Sequence, residues 1–199
     1  MRVGLLGGSF NPAHAGHLHV ATLARRRLRL DQVWLLVSPG NPLKPRAGMA
    51  RLADRLSSAR RIADGRRIVA TAIEAKLGQR YTFDTLRALR QLFPRVAFVW
   101  LMGADNLAQL PRWQHWTGIV RMMPFAVMPR PGYNGGALAG KAAHRFRHAF
   151  RPPHTAPALA GSSAPAWTFL PARQNSLSAT ELRRSEPALI PAALEGMPS

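Results

Sequence analysis

Short apolar runs alternate with amphipathic stretches from the first residues of the chain. Arg2–Leu6 is an apolar run closed by Gly7-Gly8, the pattern of a buried strand. His17–Leu30 carries Leu18, Ala21 and Leu28 at helical spacing and reads as a helix. Gln32–Val37 is a second apolar strand, ended by Ser38-Pro39-Gly40-Asn41-Pro42. Ala50–Ala63 reads as a helix, Ile68–Thr71 as a strand, and Thr82–Leu92 as a helix stopped before Pro94. Val96–Met102 is a strand, Trp113–Met122 a helix, and Phe125–Met128 a strand ended by Pro129, Pro131 and Gly132. Arg151–Ala166 is rich in Pro, Ala, Gly and Ser and reads as a loop of low structural content. Trp167–Leu170 closes the strand series, and Ser178–Arg184 reads as the start of a short helix. There is no internal repeat, no heptad run and no boundary for a second domain. This βαβα order predicts an α/β fold, a parallel sheet with helices on both faces, spanning residues 1–199 as one domain. In such sheets ligands bind beyond the carboxyl ends of the strands, so the chemistry is expected in the loops that follow them.

Composition narrows the class. The chain has 199 residues, 47% hydrophobic, and a mean hydropathy of −0.11, which excludes a mostly disordered protein. No stretch approaches the roughly 18 apolar residues of a membrane helix. The N-terminus reaches glycine too soon for a signal peptide. The absence of cysteine excludes disulfides, thiolate catalysis and cysteine zinc sites, and fits a cytoplasmic location.

The formal charge is +19, from 28 Lys+Arg against 9 Asp+Glu. Three of the basic residues are lysines (Lys44, Lys76, Lys141) and the other 25 are arginines, spread through almost every segment. A nucleic-acid binder would instead cluster its charge and interleave it with aromatics on one surface. Trp113, Trp116 and Trp167 lie in separate segments. The expected partner is therefore a small anionic substrate such as a nucleotide, with no membrane partner. Oligomeric state stays open, a homo-oligomer included.

The loop after the first strand is Gly7-Gly8-Ser9-Phe10-Asn11-Pro12-Ala13-His14-Ala15-Gly16-His17. Its glycines let a ligand approach the backbone closely. His14 and His17 stand at i, i+3 where a helix begins, so both imidazoles can face one object. A helix N-terminus there adds unpaired N–H groups and partial positive charge, which suits a phosphate. The bland reading makes the glycines a turn and the histidines cap residues. A metal pair lacks an obvious third ligand nearby. Lys44, between Pro42 and Pro45, can meet a phosphate as a point charge or stand as a solvated lysine. Asp105, just after Gly103, can accept ribose hydroxyls or cap a helix. Trp113 can stack on a heterocycle or pack. Ser178 and Arg183 make an anion seat or an ordinary cap with a solvated arginine.

Gly7-Gly8-Ser9-Phe10-Asn11-Pro12 followed by His14-Ala15-Gly16-His17 resembles the Rossmann-like nucleotidyltransferases with an H-x-G-H signature. Further blocks resemble one family among them, nicotinate-nucleotide adenylyltransferase. These are Asn41-Pro42-Leu43-Lys44, Tyr81-Thr82-Phe83-Asp84-Thr85-Leu86, Gly103-Ala104-Asp105-Asn106-Leu107 with Trp113, Arg130-Pro131-Gly132, and Ser178-Ala179-Thr180-Glu181-Leu182-Arg183. They run in family order over nearly the whole chain. The resemblance implies a Rossmann-like doubly wound sheet with a small helical C-terminal appendage at about 171–199. It implies adenylyl transfer from ATP to nicotinate mononucleotide in NAD biosynthesis, with Mg²⁺ bound alongside ATP and no metal site of protein ligands.

By the same resemblance His14, His17, Lys44 and Arg183 are catalytic. Gly8, Ser9, Phe10, Gly16, Gly103, Asp105, Ser178 and Thr180 bind ATP, and Asn41, Thr82, Trp113 and Arg130 bind nicotinate mononucleotide. The chain departs from the family at Asn11 (often Asp), Leu43 (commonly His), Gln109 (an aromatic in relatives) and the tail Pro187–Ser199, which lacks an aromatic ending. Nicotinamide mononucleotide or phosphopantetheine as acceptor, and a basic nucleic-acid-binding module, are the alternative readings.

Overall fold

The computed structural model describes residues 1–40 and 48–171. Asn41, Lys44, Ser178, Thr180, Arg183, the helix expected at Ser178–Arg184 and nearly all of the expected C-terminal appendage lie outside them. Six parallel strands, β1 (Arg2–Gly8), β2 (Gln32–Val37), β3 (Ile68–Thr71), β4 (Ala97–Gly103), β5 (Phe125–Met128) and β6 (Trp167–Phe169), form one sheet in the order β3-β2-β1-β4-β5-β6. Helices α1 (Ala15–Arg27), α2 (Leu52–Ile62), α3 (Ile73–Lys76), α4 (Thr82–Leu92), α5 (Ala104–Gln109), α6 (Trp116–Met122), α7 (Asn134–Leu138) and α8 (Lys141–Arg145) connect them.

The two faces of the sheet explain why its central strands read as nearly unbroken apolar runs. Side chains alternate across a strand, so one set must be buried on each side. Val3 and Leu5 of β1, Phe98, Trp100 and Met102 of β4, and Phe125 and Val127 of β5 pack with Leu86, Leu89, Leu107 and Ile119. Leu6, Val99, Leu101, Ala126 and Met128 face the other way, against Ala21, Ala24, Leu28 and Ala59. Each large apolar side chain so buried contributes roughly 1.5–3 kcal/mol. Ala21 and Ala24, both 0% exposed, are small enough to let α1 lie close on the sheet. The arginines at 25, 26 and 27 sit in its last turn, where cations suit the helix dipole. No helix among the described residues is long and apolar enough to cross a membrane.

Two expectations need correction. Arg151–Ala166 is not a loop of low structural content: Pro153–Gly161 is a 3-10 helix that buries Ala156, Leu159 and Ala160 on the α1 face of the sheet. Small apolar residues at i, i+3 and i+4 outweigh its prolines. The helix expected at Trp113–Met122 begins only at Trp116, because Trp113 is extended and His115 is left-handed with φ 52°.

Candidate active site at the switch point

In this strand order the connections leave β1 toward one face and β4 toward the other, opening a crevice beyond the ends of these two neighbours. The residues there are Gly7–Phe10 from one strand and Gly103–Asp105 from the other. Arg130 follows the end of β5, whose Met128 pairs with Gly103.

Gly7 has an exposed flank, and a Cβ built on it would meet no atom within 4 Å. A ligand can therefore lie against this backbone. Phe10, 1% exposed, adopts φ 48°, a left-handed conformation that costs a bulky residue on the order of 1–3 kcal/mol. The turn drives its ring into the core, against Gly8 and 4.8 Å from the His17 ring. Only its backbone remains for a ligand. Asn11 holds the next stretch of chain, donating to Gly48 O at 2.9 Å and accepting from the Ala50 N–H at 3.1 Å.

His14 is the N-cap of α1 and His17 stands one turn in, with ring centroids 3.9 Å apart. The cap is reciprocal. His14 Nδ1 accepts the Gly16 N–H at 3.1 Å, and His17 Nδ1 accepts the His14 N–H at 3.2 Å. The His17 N–H is bonded to His14 O at 2.9 Å. Of the N–H groups expected to stand unpaired at this helix end, those of Gly16 and His17 are therefore taken within the cap. A neutral imidazole whose Nδ1 accepts must carry its proton on Nε2. Two neutral Nε2–H donors are thus fixed side by side.

Burial first, and then Arg130, lower the His14 pKa. Burial, the adjacent His14 and Arg130 bring His17 down from 6.5 to about 3. An unfolded chain binds the His17 proton near pH 6.5, while the folded one refuses it until about pH 3. The corresponding stability is complete above pH 6.5 and drains as pH falls toward 3. Glu74 in α3, half-buried and hydrogen-bonded to Thr85, works the other way: burial raises its pKa from 4.5 to about 7. Its contribution is present below pH 4.5 and lost as pH rises through about 7. Comparing His17→Asn with the parent isolates the histidine, because Glu74 is common to both. Urea unfolding at stepped pH is expected to show a smaller loss between pH 6.5 and 4 for His17→Asn. Equal losses would contradict the buried, neutral imidazole.

Asp105, in the first turn of α5, places Oδ1 3.5 Å from Arg130 Nε. That oxygen is buried and accepts no hydrogen bond among the described residues, so it is available to a donor such as a hydroxyl. Gly103 makes room for the pair. A Cβ there would collide with Asp105 Oδ1 and lie 3.2 Å from both Cγ and Nε of Arg130.

Thr82 opens α4, and Trp113 lies between a 3-10 turn (Leu110–Arg112) and α6. Trp113 is half-buried 5.5 Å from the Trp100 ring, and its buried Nε1–H has no acceptor among the described residues. No hydrogen bond or ring contact joins Thr82 or Trp113 to the histidines among the described residues. The structure gathers His14, His17, Gly103, Asp105 and Arg130 into one cluster, while Thr82 stands at the start of α4 and Trp113 just before α6. Sequence reasoning missed Arg55 and Ser58 of α2, both buried beneath the first loop.

Comparison with known proteins agrees with this fold. The family pattern described as Cytidylyltransferase-like matches residues 5–185. A protein of Gluconobacter oxydans named probable nicotinate-nucleotide adenylyltransferase is 63% identical over 93% of this chain and 95% of its own length. A namesake in Methylorubrum extorquens is 51% identical over 92% of this chain and 99% of its own. The Plasmodium falciparum nicotinic acid mononucleotide adenylyltransferase complexed with NaAD superposes with a TM-score of 0.65 at 16% identity, over 92% of this chain and 82% of that one, a likeness of fold. The chain belongs to the cytidylyltransferase-like family and, within it, to the nicotinate-nucleotide adenylyltransferases.

Proposed function

We propose that ATP lies in the switch-point crevice, its phosphates against Gly8, Ser9, Phe10 and Gly16 and the two Nε2–H groups, and that nicotinate mononucleotide enters from the Thr82, Trp113 and Arg130 side. The observation that carries this reading is the reciprocal cap, which turns His14 and His17 into adjacent neutral donors. Gly103 and Asp105 would hold the nucleoside, with the unbonded Oδ1 taking a ribose hydroxyl. Trp113 offers a ring face, and Arg130 a half-exposed guanidinium, to the second nucleotide. Lys44 and Arg183 complete the charge on the phosphates, Ser178 and Thr180 add hydroxyls for ATP, and Asn41 contacts nicotinate mononucleotide. Residues 1–199 form one domain in this reading, helical from about 171, working in the cytoplasm on small molecules rather than nucleic acid.

The enzyme is a nucleotidyltransferase. A phosphate oxygen of nicotinate mononucleotide attacks the α-phosphorus of ATP. The bond from that phosphorus to the bridging oxygen breaks, pyrophosphate leaves with the electron pair, and nicotinate adenine dinucleotide remains. A phosphate monoester is already ionised near neutral pH. No general base is needed, and catalysis is alignment plus cancellation of charge on two polyanions. Among the described residues no three His, Cys, Asp or Glu side chains converge as a metal cage. The crevice instead offers hydrogen-bond donors and a carboxylate already paired with Arg130, a set that fits a cation carried in on ATP. Mg²⁺ so bound would neutralise phosphate oxygens during displacement.

The test supplies ATP and Mg²⁺ with nicotinate mononucleotide, nicotinamide mononucleotide or phosphopantetheine separately and measures pyrophosphate. Release is expected with nicotinate mononucleotide, with none from phosphopantetheine, and is abolished by a chelator. No release with any acceptor, together with sequence-selective DNA binding that survives about 50–200 mM salt, would overturn the reading.

A further inference from the structure

Arg55 is the only arginine in the core among the described residues, at 2% exposure, and no carboxylate pairs with it there. Its guanidinium is spent on carbonyls from three segments. Nε donates to Ala50 O at 2.9 Å, just before α2, and Nη1 donates to Ser9 O at 2.8 Å and Ser38 O at 2.7 Å. Ser38 in turn donates its N–H to Gly8 O at 3.0 Å. One helical turn on, Ser58 Oγ accepts the Ala13 N–H at 3.1 Å and donates to Arg55 O at 2.9 Å. Two residues at i, i+3 on one face of α2 thus hold residues 9–13 from beneath.

Burying a charge without a counter-charge is costly, and neutral donors could satisfy carbonyls more cheaply. The guanidinium brings two things they would not. Its rigid fork fixes several carbonyls at once, and its charge persists even when burial lowers its pKa. The Ser9–Phe10 peptide is trans, so anchoring its carbonyl toward α2 aims the Phe10 N–H away from α2. That N–H has no protein acceptor among the described residues.

We propose that Arg55 is a positioning residue of the transfer reaction: its fork holds the left-handed turn at Phe10 in register with His14 and His17, and its charge, seated behind the loop, favours a polyphosphate in front of it. The inference rests on the adenylyl-transfer reading and deepens it.

The experiment compares the parent, Arg55→Met and Arg55→Lys for cooperative unfolding, for kcat and KM, and for calorimetric affinity toward inorganic tripolyphosphate. Arg55→Met is expected to fold, to bind tripolyphosphate about tenfold more weakly, and to lose about 100-fold in kcat, the order of a misplaced transition-state donor. The KM for nicotinate mononucleotide should stay within about threefold, because uniform acceptor binding is untouched. Arg55→Lys restores the charge without the fork. It is expected to recover tripolyphosphate affinity to within about threefold while kcat stays at least about tenfold low. A folded Arg55→Met with parental kcat and affinity would overturn the proposal, and so would Arg55→Lys with parental kcat. Should Arg55→Met not fold, the lysine variant decides by the same criterion. If the parent releases no pyrophosphate, the activity reading fails, while the tripolyphosphate comparison still judges Arg55.

Discussion

His14→Ala and His17→Ala are each expected to lower kcat by about 10²–10³-fold, the loss of roughly 2.7–4 kcal/mol that follows removal of one preorganised donor. The size follows from the capped geometry. Each ring is held at Nδ1 by a backbone N–H, so the Nε2–H is aimed before substrate arrives and needs no reorganisation during transfer. Alanine at position 14 also removes an N-cap, which costs about 0.5–2 kcal/mol of stability and clouds the kinetics. His14→Asn separates the two effects. Asparagine is a good N-cap whose side-chain oxygen can accept the Gly16 N–H, yet it places no donor where Nε2 stood. Its unfolding midpoint should stay near the parent value while kcat falls as in the alanine variant. Near-parental turnover by folded His14→Asn and His17→Ala would remove the histidines from the reaction.

Gly103→Ala is expected to cost about 100-fold in kcat/KM with little change in folding, the penalty associated with displacing a reacting group by about 1 Å. Gly103 has φ −78° and ψ 160°, a conformation open to alanine, so the backbone does not object. The objection is local to the site: the new methyl group would occupy the place of Asp105 Oδ1 and press on Arg130. Both side chains must move, and with them the carboxylate that the proposed function assigns to ATP and the guanidinium that helps lower the histidine pKa values. Steady-state kinetics with a thermal melt decide the matter. A Gly103→Ala enzyme within about threefold of the parent would show that the Asp105–Arg130 pair is not part of the machinery.

The strands were the most legible part of the chain. Ile68–Thr71 and Phe125–Met128 appear with the expected boundaries, because strands buried on both faces leave little room for polar residues. Short helices escaped notice for the opposite reason. Six residues of α5 and four of α3 are too few to show a period. The helical 3-10 segment at Pro153–Gly161 was masked by proline, although Ala156, Leu159 and Ala160 carried the apolar spacing that buries it. Within the site, spacing was enough to bring His14 beside His17. It could not reveal that their Nδ1 atoms close the cap, since that depends on the extended backbone at His14. Arg55 was hidden among 25 arginines. Its only trace is its phase on α2, beside Leu52, Leu56 and Ala59, which pack inward.

The fate of the α-phosphorus tests the central claim most directly. ATP radiolabelled at that position, Mg²⁺ and nicotinate mononucleotide are mixed with the enzyme, and the products are separated and counted. The account predicts that the label moves into nicotinate adenine dinucleotide, with one unlabelled pyrophosphate released for each dinucleotide formed. Label remaining in AMP or ADP, or a γ-phosphate transferred to the mononucleotide, would contradict it.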